Sequence, residues 1–183
     1  MLIMVQSVEL LLDSGSDESI RREWNYLAEL GLPSQARHTG SSNRPHITIA
    51  VAASIDDDAE RRLTALIVDG RENGAWRFPE AVRLGGLVMF GGSRAVLART
   101  VVPSPELLDL HARVHRILAD SPGIPPHLEP GRYTPHVTLA MRMRPDDIGS
   151  ASSYLITDLR DIEAEVSAVR RWDGDAREDW LIG

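Results

Sequence analysis

Residues 45–50 read Pro45-His46-Ile47-Thr48-Ile49-Ala50, and residues 135–140 read Pro135-His136-Val137-Thr138-Leu139-Ala140. Four of the six positions are identical, and the other two exchange one aliphatic residue for another. Both copies lie in apolar, β-branched runs, the composition of a strand. Side chains alternate across a strand, so His46 and Thr48 share one face, and so do His136 and Thr138. The apolar residues between them point the opposite way, toward a core. A polar face with a histidine and a hydroxyl, presented twice, predicts one site built across a pseudo-two-fold axis.

The elements around the two copies predict related halves. Before the first copy, a strand over Val5 to Leu12 precedes a helix from Asp17 to Leu30. Ser16 is its expected cap, Ile20, Trp24, Leu27 and Leu30 form its stripe, and Gly31 with Pro33 stops it. A polar loop, Ser34 to Asn43, leads into the motif strand, Pro45 to Ala52. Ser54 and Asp57 then read as a capping box for a second helix with Ile55, Ala59, Leu63 and Leu66 inward. Trp76 to Leu84 is expected as a strand, and Leu87 to Phe90 with Ala95 to Val102 as a hairpin about Gly91, Gly92 and Ser93. Ser104 and Pro105 open a third helix with Leu107, Leu110, Val114 and Ile117 buried. The loop Ser121 to Gly131, the second motif strand, a short helix after Pro145, and strands over Ile162 to Val169 and Trp180 to Ile182 complete the order. The expected fold class is α+β, with each half contributing one central motif strand. No linker divides the halves, so residues 1–183 are expected to form a single bilobal domain.

Composition narrows the chemistry. The 183 residues contain no cysteine, which excludes disulfides, thiolate metal sites and a cysteine nucleophile. All 20 basic residues are arginine. Without a lysine amine, neither a lysyl-nucleotide adduct nor a Schiff base can form on the protein. A formal charge of −7 argues against a broad grip on nucleic-acid backbones while leaving room for a local basic pocket. The N-terminal run Leu2 to Leu12 is interrupted by Gln6, Ser7 and Glu9 and reads as a strand, not as a membrane span or signal peptide. The expectation is a cytoplasmic monomer without membrane attachment that binds a small ligand.

Two histidines titrating near neutrality can hold opposite protonation states at one pH. The neutral imidazole takes a proton from a nucleophile, and the imidazolium gives one to a leaving group. A hydroxyl two residues on can donate to an oxyanion held between them. That set suits in-line displacement at a phosphodiester without a metal or other cofactor.

The two Pro-His-x-Thr-x-Ala motifs, their spacing and the element order resemble the 2H phosphoesterase superfamily, and within it the bacterial 2′-5′ RNA ligase and cyclic phosphodiesterase-like proteins. The resemblance covers nearly the whole chain. It implies a bilobal fold in which two antiparallel sheets line a central cleft, helices outside, with His46, Thr48, His136 and Thr138 on its floor. It also implies hydrolysis of 2′,3′-cyclic phosphates to 2′-phosphates and, in some members, reversible 2′-5′ joining of RNA ends. The implied partner is a small nucleotide or RNA end bearing a cyclic phosphate or a 2′-5′ linkage.

Four further residues are candidates for substrate binding. Arg44 shares the strand face of His46, where it can contact a phosphate or form a surface ion pair. Arg132 and Tyr133, just before the second motif, could touch phosphate or stack on a base. Met141 separates the second motif from Arg142, which on a regular strand lies on the His136 face. His111 and His115, one helical turn apart, lack the glutamate of a zincin pattern and read as a solvated helix face. Trp24, Trp76, Trp172 and Trp180 read as packing residues, and Gly85, Gly86, Gly91 and Gly92 as turns. In hydrolysis His136 is favoured as base and His46 as acid. The rival readings are a catalytically weak module that binds nucleotides or RNA ends in the same cleft, and a metal hydrolase with His46 and His136 as ligands. The second is disfavoured by the lack of carboxylates beside either motif.

Overall fold

A computed structural model describes residues 5–40, 42–92 and 94–183. Residues 2–4 of the first run, Ser41 and the hairpin residue Ser93 lie outside them. Among the described residues seven strands pair antiparallel, and we number them in chain order: β1 (Gln6–Leu12), β2 (His46–Ala52), β3 (Ala81–Phe90), β4 (Ala95–Val101), β5 (His136–Met143), β6 (Ile162–Asp173) and β7 (Glu178–Leu181). Four helices accompany them: α1 (Ser14–Glu29), α2 (Asp57–Arg71), α3 (Pro105–Ile117) and α4 (Pro145–Leu155).

The spatial order is β2-β1-β6-β3-β4-β5, with β7 added to β6. The long strand β6 serves two sheets. Its residues 162–165 pair with β3, and from Val166 onward it pairs with β1. The motif strands therefore stand at the two ends of the order, not inside their sheets as expected. The order curls until its ends meet, so that β2 touches β5. The two sheets line one cleft, and the histidine strands close it.

The helices are exchanged between the halves. α1, from the first half, packs on β5, and α3, from the second, packs on β2 and α2. Tyr26 of α1 meets Tyr154 of α4 edge-on, with centroids 6.3 Å apart. α1 thus meets α4, and α2 meets α3, each pair taking one helix from each half. Buried apolar residues from both sheets form one cluster, including Leu10, Leu12, Ile47, Leu63, Leu107, Val114, Val137 and Val166.

Several local expectations are corrected. The cap of α1 is Asp13, not Ser16: one carboxylate oxygen accepts from the Ser16 amide at 3.0 Å, the other from the Glu165 amide at 2.9 Å. The second bond ties the helix to β6. α2 is likewise capped by Asp56, which accepts from the Ala59 amide, not by Ser54. The strand expected from Trp76 begins only at Ala81, because the Trp76 ring instead packs on Gly70 and donates to the Leu66 carbonyl. A Cβ at Gly70 would lie 2.5 Å from that ring. Gly85 and Gly86 make no turn; they form an irregularity inside β3, where the Gly85 carbonyl accepts from buried Arg99. β6 runs on past Val169 through Arg170 and Arg171, both buried, because each guanidinium finds partners on its own face of the sheet.

Candidate active site

Each motif strand carries one extra residue at the same motif position. Val8 and Glu9 of β1 face Ala50 and Thr48, and Leu97 and Ala98 of β4 face Ala140 and Thr138, so Ile49 and Leu139 are bulged. The burial pattern explains the need. Ile49–Ala50 and Leu139–Ala140 are consecutive fully buried residues, which strict alternation forbids. The bulge admits both to the core and leaves the histidine and threonine half-buried on the cleft face.

The two imidazoles are oriented alike. Nδ1–H of His46 donates to the Arg44 carbonyl at 2.6 Å, and Nδ1–H of His136 donates to the Thr134 carbonyl at 2.8 Å. A carbonyl only accepts, so the proton of each neutral ring is held at Nδ1 and the lone pair is left on Nε2. The rings sense each other: the charge of His46 disfavours protonation of His136. His46, Thr138, Arg44, Trp24, Gln35 and Asn43 also line one small cavity. The larger concavity around Trp76 and Phe78 lies away from both motifs.

The threonine backbones are latched across the cleft. The Tyr133 hydroxyl, from the chain entering β5, donates to the Thr48 carbonyl of β2 at 2.8 Å. Trp24 Nε1–H, from α1, donates to the Thr138 carbonyl of β5 at 3.0 Å. Each bulge-flanking carbonyl is thereby satisfied by an aromatic donor from the other half of the sequence.

The surroundings of the two histidines differ. Burial first, then the charges of His46 and His127, hold His136 below the usual histidine range, against the opposing bond to Thr134. The Phe90 ring lies against it at 4.5 Å. His46 instead has the Glu9 carboxylate 3.7 Å from Nε2. Glu9 is 5% exposed and ion-paired with Arg170, itself 3% exposed. The expectation that no carboxylate lies beside either motif is therefore corrected: β1 brings one from 37 residues upstream. A lone acid within an apolar strand, and paired arginines continuing another, were the available signals.

The four substrate-binding candidates separate. Arg44 stays at the cleft, half-exposed, its guanidinium 3.6 Å from Asp17. Tyr133 is spent on structure: its hydroxyl holds Thr48, its ring stacks on His111 at 4.0 Å, and burial raises the pKa of its phenol. Arg132 is exposed, 3.9 Å from Glu129, in a surface pair. Arg142 does not share the His136 face through a regular strand. A second extra residue in β5, opposite Val96, places it at φ 59° and leaves it exposed.

His111 and His115 are buried, contrary to the solvated face expected of them, because α3 is the helix laid across β2. His111 Nε2–H donates to the Leu128 carbonyl at 2.9 Å, and His115 Nε2–H to the carbonyl of the bulged Ile49 at 3.3 Å. Burial and the neighbouring His115 lower the pKa of His111 to about 4, although its bond to Leu128 opposes them.

The match to a family model covers residues 16–178, nearly the whole chain, and the model is that of the 2′-5′ RNA ligase superfamily. The chain belongs to that superfamily. Its members' 2H phosphoesterase fold is found again in solved structures. Kluyveromyces marxianus Usb1 is 13% identical, with a TM-score of 0.54 over 97% of each chain. E. coli LigT in its apo form is 14% identical, with a TM-score of 0.54 over 97% of this chain and 96% of that one. The MHV ns2 PDE domain is 15% identical, with a TM-score of 0.52 over 98% and 97%. No curated protein matches the chain. Membership in the superfamily supports an enzyme of phosphodiester chemistry, and no described helix is long and apolar enough to cross a membrane.

Proposed function

We propose that this protein hydrolyses 2′,3′-cyclic phosphates of nucleotides or RNA ends to 2′-phosphates, without a metal, by paired-histidine acid–base catalysis. The observation that carries the reading is the matched pair of Nδ1–H bonds, which leaves Nε2 of both His46 and His136 as the reactive nitrogen at one cleft. Water gives a proton to Nε2 of His136 as its oxygen bonds to phosphorus. The bond from phosphorus to O3′ breaks, and O3′ takes the proton from Nε2 of His46. Thr48 and Thr138 donate to the non-bridging oxygens, where charge accumulates. Arg44 adds a positive charge at the cleft mouth. With a 5′-hydroxyl in place of water, the same displacement yields a 2′-5′ linkage.

Structures of the same fold support a nucleotide-sized ligand: Usb1 has been solved with uridine monophosphate, and LigT with 3′-AMP. The net charge of −7 favours a short end over a long RNA backbone. The test is turnover of 2′,3′-cyclic AMP and of a short RNA with a cyclic-phosphate end, in the presence of chelator, with the product isomer identified. The expected product is the 2′-phosphate, lost in both His46→Ala and His136→Ala. Tight binding without turnover by the wild type would instead identify a binding module.

A further inference from the structure

The half-sites agree in motif, bulge, imidazole orientation and carbonyl latch, and they differ in the residue paired with the motif threonine. The β1 residue paired with Thr48 is Glu9; the β4 residue paired with Thr138 is Ala98. One half-site has a carboxylate where the other has a methyl group. We propose that Glu9 is a positioning residue that keeps the proton on Nε2 of His46, the acid of the hydrolysis proposed above. The inference rests on the phosphodiesterase reading above and adds the group that holds its acid in that role.

The geometry suits that task. At 3.7 Å the Glu9 carboxylate is beyond hydrogen-bond reach of Nε2, so it favours the imidazolium without taking up the proton meant for O3′. The carboxylate cannot swing away: one oxygen accepts from Ser7 Oγ at 2.7 Å, the other from Arg170 Nε at 2.9 Å. Burial acts to raise the carboxyl pKa, but His46, Arg170 and Ser7 outweigh it and hold the group ionised.

Charges on every packed element fit the same assignment. Arg170 of β6 is shared between Glu9 and Asp179 of β7, which is 3.6 Å away. Glu9, Asp179 and Arg170 sum to one negative charge on the His46 side of the cleft. Arg171 of β6, on the opposite face, is engaged by Glu60 of α2. At the mouth Arg44 is offset by Asp17 of α1. Across the cleft His136 faces His46 and His127 and no carboxylate among the groups acting on it.

The test follows the two imidazoles by nitrogen NMR through a pH titration, which needs no turnover. In the wild type His46 should keep its Nε2 proton to higher pH than His136. In Glu9→Gln, His46 should lose it at lower pH while His136 moves little, and the alkaline limb of kcat/KM should move the same way. A nitrophenyl phosphodiester, whose leaving group departs without a proton, should spare Glu9→Gln and His46→Ala but not His136→Ala. The inference is overturned if His136 is the last to deprotonate or if Glu9→Gln leaves His46 unmoved. Should Glu9→Gln fail to fold with Arg170 deprived of its closest carboxylate, the order of titration in the wild type still decides. A Glu9-dependent His46 in a protein that does not hydrolyse cyclic phosphates would sink the phosphodiesterase reading alone.

Discussion

Two pairs of histidines lie side by side in this protein, and they do opposite things with the same ring. His46 and His136 spend Nδ1 on a carbonyl two residues upstream and keep Nε2 at the cleft. His111 and His115 spend Nε2 on distant carbonyls and are buried. The difference comes from the element that carries them. A strand edge facing a cleft leaves a ring one exposed end, whereas a helix laid over that strand presses both of its rings into the interior. The second pair supports the first: His115 satisfies the bulged Ile49, and His111 backs the Tyr133 ring whose hydroxyl holds Thr48. Residue type therefore sets what a histidine can do, and the unsatisfied atoms around it decide what it does.

The sharpest way to break this comparison is to truncate the motif pair. His46→Ala and His136→Ala should each lower kcat by about 10²–10⁴-fold, the usual contribution of one acid–base group, with the urea midpoint nearly unchanged. Retained turnover in either would remove that ring from the chemistry. Truncating the α3 pair should do the reverse. His111→Ala should cost about 3–5 kcal/mol in denaturant unfolding, as for other large buried rings, while the folded fraction keeps its rate within a few-fold. An enzyme that stays stable but loses activity would make His111 catalytic.

A pH series of unfolding sharpens the contrast further. With a folded pKa of about 4 against about 6.5 when unfolded, His111 is protonated first in the unfolded chain. Its contribution is fully present above pH 6.5 and is lost as the pH falls toward 4, by roughly 3 kcal/mol. His111→Gln should flatten that part of the profile; an unchanged slope would assign it to other groups. The smallest expected effect is at the latch. Tyr133→Phe removes one hydroxyl from the Thr48 carbonyl and should cost about 1 kcal/mol with a few-fold loss in kcat. A pure loss of stability, with kcat untouched, would make the latch structural only.

The elements least legible in the sequence share a cause. Glu9 reads as a break in an apolar strand, and its meaning depends on Arg170, which lies 161 residues away. The bulges at Ile49 and Leu139 are visible only against the partner strands that they mismatch. His111 and His115 look polar and exposed until α3 is known to cross β2. Arg142 shares the His136 face on any regular strand, and the two irregularities of β5 break that alternation.

What the sequence by itself determined is what repeats or is local: two His-x-Thr strands, the Ser104 cap of α3, the stop of α1 at Gly31, the hairpin, and the absence of thiol and amine chemistry. Periodicity and capping act over a few residues, so they can be read in order along the chain. The tertiary structure alone decided that the motif strands meet as the two ends of one curled order, that the helices change sides, and that one half-site received a carboxylate. Those outcomes depend on strand pairing and burial between residues far apart in sequence, where no local pattern states which partner a buried charge or an unpaired carbonyl will find.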